Sequence, residues 1–468
     1  MTTLRRRSRK TRRARERGVA LIMVLLSIVV LTVFLTEVQE QSATAFAAAI
    51  GERDRLRAEY HARSAVNLAR LLIASEPTVR EAVEPIFVML NPKGKAPQIP
   101  VWEFIAEVIG PFNDAAGAEG FSSLTKLDAS TGENLGLGGP GRFEVVVVDE
   151  DSKLNVNVGA RGDIISRTRL AQQLLGLMGP PQYSPLFEGE DLDGQLSDRQ
   201  TICREIIDWT DSDTDLEPCD PSAAAPSSGV EDNFYQTIGL PYFRKNAAFD
   251  SLDELRLVRG VGDAFWATFV DPDPRDPKKR VVTVWGQGKI NVNTANAQTL
   301  LALVCAGAPD AELCNDLAQA SSFLSVVTLL RSMTAGAPLF SSPGDFIRTL
   351  KGQGMVGPYL ATVGIKPVTF KSDSEMKKMV TTESKMFSIY ATGVVPGRGG
   401  DTRASVHAVI DFRKASGLGE GIALEADGKN GKTAEALASE AGRAPTPEEL
   451  AGIQAANPGG NLVYWRVE

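Results

Sequence analysis

Carboxylates stand at nearly every second position of one short run, DWTDSDTDLEPCD, between Asp208 and Asp220. Like charges at that spacing repel one another unless a cation lies among them. Ca²⁺ takes about 6–8 hard oxygen ligands from loops of this kind. The spacing is close to that of an EF-hand loop but departs from it. Leu216 occupies the place of the required Gly, and Ser222 stands where the bidentate Glu should be. Asp211, Asp213, Asp215 and Glu217 are therefore candidate metal ligands that need further oxygens. Glu231 and Asp232, in GVEDNFY, are the best source of them. The competing reading is a solvated acidic loop, as most charge runs are.

The four cysteines fit an oxidising compartment and two disulfides, for which three pairings exist. A Cys203–Cys219 bond would close a loop holding most of the acidic cluster, worth about 3 kcal/mol in the chain-entropy model. A Cys305–Cys314 bond would staple a helix end. No Cys-x-x-Cys is present, so a redox role is not expected.

Catalysis finds little to build on. The two histidines, His61 and His407, have no nucleophile motif beside them, and neither Gly-x-Ser-x-Gly nor His-Glu-x-x-His occurs. The segment GQGMVG (352–357) matches a nucleotide-loop pattern only formally, because no strand precedes it and Pro358 follows. LVRGVG (257–262) and INVNTANAQTLLAL (290–303) resemble helix-hairpin-helix units of DNA-binding competence proteins. Those units hold phosphate on backbone amides at a helix start. They need basic surroundings, whereas Asp253, Glu254, Asp263, Asp271, Asp273 and Asp276 lie here. A helical packing unit is the expectation.

The elements that carry these residues begin with a tether. Val19 to Thr36 is free of charge and long enough to cross a bilayer as a helix. Ahead of it, eight Arg and one Lys face a single Glu, and basic flanks stay on the cytoplasmic side. A cleaved secretory signal would have a shorter core and an Ala-x-Ala-like exit; here Glu37, Val38, Gln39 and Glu40 follow. Without residues 1–18, 41 Lys and Arg remain against 57 Asp and Glu, a net charge of −16. So acidic a body is a poor nucleic-acid binder and a reasonable host for divalent cations.

Beyond the span, Leu56, Tyr60, Ala62, Ala65, Leu68, Leu71 and Leu72 recur at helical spacing and predict a stalk with one packed face, ending at Glu76-Pro77, with a soft point at Gly51. RFEVVVVD (142–149) and KLNVNV (153–158) read as a hairpin. Helical spacing then dominates in 170–178, 199–210, 251–260, 297–307 and 322–333. Strands return at 386–395, 404–413 and 461–467. Strands, then helices, then strands predict an α+β fold: a pilin-like antiparallel sheet interrupted by a large inserted α-helical domain, behind a long transmembrane and stalk helix. The expected bounds are 1–18 for the leader, 19–75 for the span and stalk, 76–165 for the first part of the sheet domain, 166–375 for the insertion and 376–468 for the second part. Within the last part, 417–460 reads as a mobile excursion.

ERGVAL (16–21) resembles a prepilin leader, cut by prepilin peptidase between Gly18 and Val19. Most pilins carry Glu at mature position five; Met23 stands there. The K-type minor pseudopilin of type II secretion also lacks that Glu. The chain resembles this family through GVALIMVLL (18–26), EDSKLNVNV (150–158), IIDWTDSDTD (206–215), GVEDNFY (229–235), SLDELRLVRGV (251–261) and KINVNTANAQTLLAL (289–303). The resemblance implies a methylated new N-terminus, an inner-membrane anchor with its N-terminus cytoplasmic, and a periplasmic head that binds Ca²⁺ around the acidic loop. It further implies a place at the pseudopilus tip beside I- and J-type minor pseudopilins and the major pseudopilin, where the subunit helps start assembly and export of folded proteins. The alternative is a DNA-uptake or type IV pilus minor pilin using the helical hairpins; the acidic composition argues against nucleic acid. The excursion 417–460 has no counterpart in the family.

Overall fold

The computed structural model describes residues 5–90, 95–110, 141–190, 194, 196–220, 233–334, 336–354, 356–397, 399–415, 423–424, 432–433, 453–454 and 457–468. Its spine is helix α1, Arg5–Leu90, an 86-residue rod about 130 Å long at 1.5 Å per residue. Its N-terminal half holds a stretch with a mean hydropathy of 3.0 and no buried residue, the one helix among the described residues long and apolar enough to cross a membrane. The helix is unbroken at Gly51 and does not stop at Glu76-Pro77. Proline in a helix interior costs about 3 kcal/mol, yet the turn is held from outside. Buried Glu76 accepts the Ile99 amide at 3.0 Å and lies 3.4 Å from Arg80.

The packed face of α1 matches the expected one in part: Ala62 and Ala65 are buried and Leu68 and Leu72 pack against the same core. Ala58, Ala62, Ala65, Val66, Ala69 and Ile73 are buried, whereas Leu56, Tyr60 and Leu71 are about half exposed. The small residues win because the sheet comes very close.

That sheet has four antiparallel strands in the order β1-β6-β7-β11: β1 Arg142–Asp149, β6 Met386–Val395, β7 Thr402–Asp411 and β11 Asn461–Val467. One face alternates inward at Phe143, Val147, Phe387, Ile389, Ala391, Val406, Ala408 and Ile410, and forms a core with α1. Short helix α2, Ile105–Ile109, joins it, and Trp102 meets Phe387 edge-on at 4.6 Å.

β1 and β6 are neighbours in register, with Asp149 opposite Phe387, so the chain from 150 to 385 leaves the sheet and returns beside its own exit. This inserted body has its own core, which takes in Leu154, Val156 and Val158 at one end and Met376, Met379 and Val380 at the other. The insertion therefore reaches beyond the expected 166–375 on both sides, because those flanking side chains bury against it and not against the sheet. The expected hairpin is absent as well. Only Leu154–Asn155 (β2) is a strand, and it pairs in parallel with Val282–Thr283 (β3). A second parallel pair joins Ile290–Asn291 (β4) to Val380–Thr381 (β5).

Helices supply the rest: α3 Ile164–Met178, α4 Arg199–Thr210, α5 Ala297–Gly307 and α6 Leu317–Met333. Each starts at an Asp or Asn whose side chain accepts an amide of the first turn, namely Asp163, Asp198, Asn296 and Asp316. A Cβ on Gly176 of α3 would overlap the α5 backbone at Ala302 and Ala306, so this glycine sets the depth of the crossing. The segment 251–260 forms only a 3₁₀ turn, Leu252–Leu257. Most of 417–460 lies outside the described residues. Within it, two-residue strands β8 (Ala423–Leu424), β9 (Lys432–Thr433) and β10 (Ile453–Gln454) pair in the order β10-β8-β9.

Candidate cation loop and the carboxylates of the domain junction

Helix α4 delivers the acidic run. Asp208, in its last turn, is fully buried. Its Oδ1 accepts the Glu217 amide at 2.9 Å, folding the loop back onto the helix, and its Oδ2 lies 3.3 Å from Arg244 Nη1. The other arm of Arg244 holds Glu205 at 2.6 Å. The Cys203–Cys219 disulfide closes the same loop, and Cys305, in the last turn of α5, bonds Cys314.

Asp211, Asp213 and Glu217 converge on one cation, the Arg167 guanidinium of α3. Nη1 donates to Asp211 Oδ2 at 2.9 Å and to Asp213 Oδ2 at 2.7 Å, and Nε lies 3.8 Å from Glu217 Oε2. Asp215 turns away and donates its amide to Asp213 Oδ1 at 3.0 Å. Burial raises the pKa of both Asp211 and Glu217, with Arg167 pulling against it. Asp211 Oδ1 is buried without a partner among the described residues. Three carboxylates thus face one guanidinium, which leaves negative charge in excess and one carboxylate oxygen without a partner. Among the described residues alone, no group of three such side chains is arranged to hold a metal. The expected donors Glu231 and Asp232 lie outside the described residues.

A second carboxylate cluster, to which the sequence reading gave no role, sits where the insertion leaves the sheet. Asp149 Oδ2 accepts hydroxyls from Thr294 and Ser384, on two other segments of the junction. Asp151 accepts the amides of Gln287 at 2.8 Å, Lys385 at 2.8 Å and Met386 at 3.2 Å. Glu150 pairs with buried Lys153 at 3.3 Å. Burial, followed by the charge of Asp151, pushes Asp149 up to about 8. Asp151 rises to about 6, chiefly through burial.

The histidines serve packing. A Cβ on Gly141 would overlap the His61 ring. His407 stacks on Tyr390 with ring centroids 4.1 Å apart, and burial lowers its pKa to about 4. Gly352 and Gly354 take left-handed conformations in a link between two helices, not after a strand.

Tether, sheet and insertion together define an α+β protein with one membrane-compatible helix. Residues 152–269, which lie within the insertion, match the family model described as Type II secretion system (T2SS), protein K. Type II secretion system protein K of Aeromonas hydrophila is 32% identical over 99 residues, 21% of this chain. The match spans 25% of that relative's length. The GspK-GspI-GspJ complex of the enterotoxigenic Escherichia coli type 2 secretion system aligns over 58% of this chain and 78% of that one, at 16% identity and a TM-score of 0.34. At that score the alignment carries no argument.

Proposed function

We propose that this protein is a minor pseudopilin of a type II secretion system, placed at the tip of the pseudopilus. The observation that carries the reading is the protein K family match lying within the body inserted between β1 and β6, on a sheet packed against α1, the one helix among the described residues long and apolar enough to cross a membrane. In this reading Gly18–Val19 is the processing site, the anchor rests in the inner membrane with its leader cytoplasmic, and the head is periplasmic. Ordinary pilins use Glu at position five to neutralise the terminal amine of a neighbour in low dielectric, where an unpaired charge is costly. Met23 cannot do so. A wide insertion would also obstruct stacking above it, and both features favour the first position over an interior one.

Ca²⁺ is the cation this reading assigns to the acidic loop. Asp211, Asp213 and Glu217 would hold it together with Glu231 and Asp232, and it would neutralise carboxylates that Arg167 alone leaves in excess. I- and J-type minor pseudopilins are the expected neighbours. Co-purification of the detergent-solubilised full chain with those two subunits tests the assignment. A stable ternary complex is the expected result; recovery of the chain free of both would refute it.

A further inference from the structure

A cleft of 760 Å³ opens at the seam between the insertion and the sheet domain, away from the acidic loop. Its size suits a small ligand or a few residues of peptide. Arg331, near the end of α6, lines it and makes no salt bridge among the described residues, although the Glu103 charge acts on it from further away. Nη1 donates to Thr294 O at 3.3 Å and Nη2 to Val292 O at 3.2 Å, both neutral acceptors. Nε is buried with no partner among the described residues. Burial lowers this guanidinium to about 10, with Glu103 partly offsetting the effect, so it stays charged at neutral pH.

The second feature of the cleft is the start of α5. Ala297 and Gln298 line it, and the Asn296 side chain caps the Thr299 amide at 2.8 Å. The first two amides of the helix, those of Ala297 and Gln298, have no partner among the described residues. Free amides at a helix start, beside the positive end of its dipole, attract an anion. Thr294, whose carbonyl holds Arg331, lies three residues before Ala297, so guanidinium and helix start face the same space. Apolar walls come from Phe104, Pro272 and Leu324.

From this juxtaposition we infer that the cleft binds a peptide carboxylate, a chain end or an acidic side chain, on Arg331 and the α5 start, with a neighbouring apolar residue against Phe104 and Leu324. Charge balance favours a monoanion over phosphate. Lys278 and Lys279 on the rim are already paired, with Glu103 at 2.6 Å and Asp273 at 2.8 Å. One guanidinium is then left, and Glu107 also lines the space. A more highly charged ligand would be repelled.

Isothermal titration of the full chain in detergent tests the site with four probes: acetyl-Leu-Phe as the free acid, the same peptide as its C-terminal amide, acetyl-Leu-Asp-Phe-amide, and inorganic phosphate. Charged hydrogen bonds are worth about 1.5–3 kcal/mol, so at least one carboxylate peptide should bind about tenfold or more tighter than the uncharged amide. Preference for the free acid identifies a chain end; preference for the Asp peptide identifies a side chain. Arg331→Met should remove that advantage, and Arg331→Lys, which keeps the charge but lacks the Nε donor, should reduce it, with melting midpoints reported for both. Equal binding of the amide, tighter binding of phosphate, no binding of any probe, or wild-type affinity in either variant would overturn the assignment.

Discussion

Gly393 of β6 lies so close to Ala58 of α1 that a Cβ on the glycine would overlap the Ala58 carbonyl oxygen. This contact explains why the stalk buries alanines fully while Leu56 and Leu71 stay outside and Leu68 and Leu72 pack only in part. Gly393→Ala must push the helix off the strand, and overpacking of this kind costs about 1–3 kcal/mol. A lower urea midpoint for the full chain in detergent is expected; an unchanged midpoint would mean that the two backbones are not in contact.

Asp149 predicts a pH dependence. Its folded pKa of about 8 exceeds the usual 3.8, so the folded chain holds a proton that the unfolded chain has lost. The stability it contributes is complete below pH 3.8 and disappears as pH rises through 8. Asp151, raised to about 6, acts in the same direction. His407, lowered to about 4 from 6.5, acts oppositely and makes stability rise with pH between those values. Of these three groups, Asp149 alone still titrates above pH 6.5. Asp149→Asn, which mimics the neutral acid, should flatten the decline in urea midpoint between pH 6.5 and 8.

The Cys203–Cys219 bond closes a loop with a sequence separation of 16. Replacing both cysteines by serine should cost about 3 kcal/mol, measurable by denaturant titration under non-reducing conditions. Equal midpoints for variant and wild type would show that the loop is held by Asp208 and Arg244 alone.

Calcium binding can be separated from the ion pairing of Arg167. Saturation at about 100 times the dissociation constant stabilises by about 2.7 kcal/mol, so the melting midpoint should fall when EGTA replaces calcium. Arg167→Gln removes the built-in cation and should widen that gap. A midpoint indifferent to calcium in both proteins would leave a purely ionic loop.

At Met23 the expectation is tolerance. A tip subunit has nothing above it to pair with, so Met23→Glu should leave secretion unchanged, whereas removal of 166–364 should impair it. Normal export by the truncated chain would contradict a role in initiation.

Where capping and period agree, the sequence was legible to the residue. Segments 199–210, 297–307, 386–395 and 461–467 coincide with observed elements, because Asp198 and Asn296 announce two of the helices and alternating β-branched and aromatic residues mark the strands. The false hairpin arose from β-branched residues in KLNVNV, whose real partner, Val282–Thr283, is far away along the chain. Pro77 is a sound stop signal, but the Ile99 amide holds its turn from outside through Glu76, which also pairs with Arg80 one turn on in the same helix. In the acidic loop the carboxylates were visible, while Arg167 and Arg244 were not. A basic residue on a helix has no local signature that names its distant partner.

Because Asp149 and Phe387 sit side by side, the head piece is joined to its handle through two strands at a single doorway. Such a layout lets the inserted portion be enlarged, trimmed or exchanged over generations without rethreading the framework beneath, much as a lathe accepts different tools in one chuck.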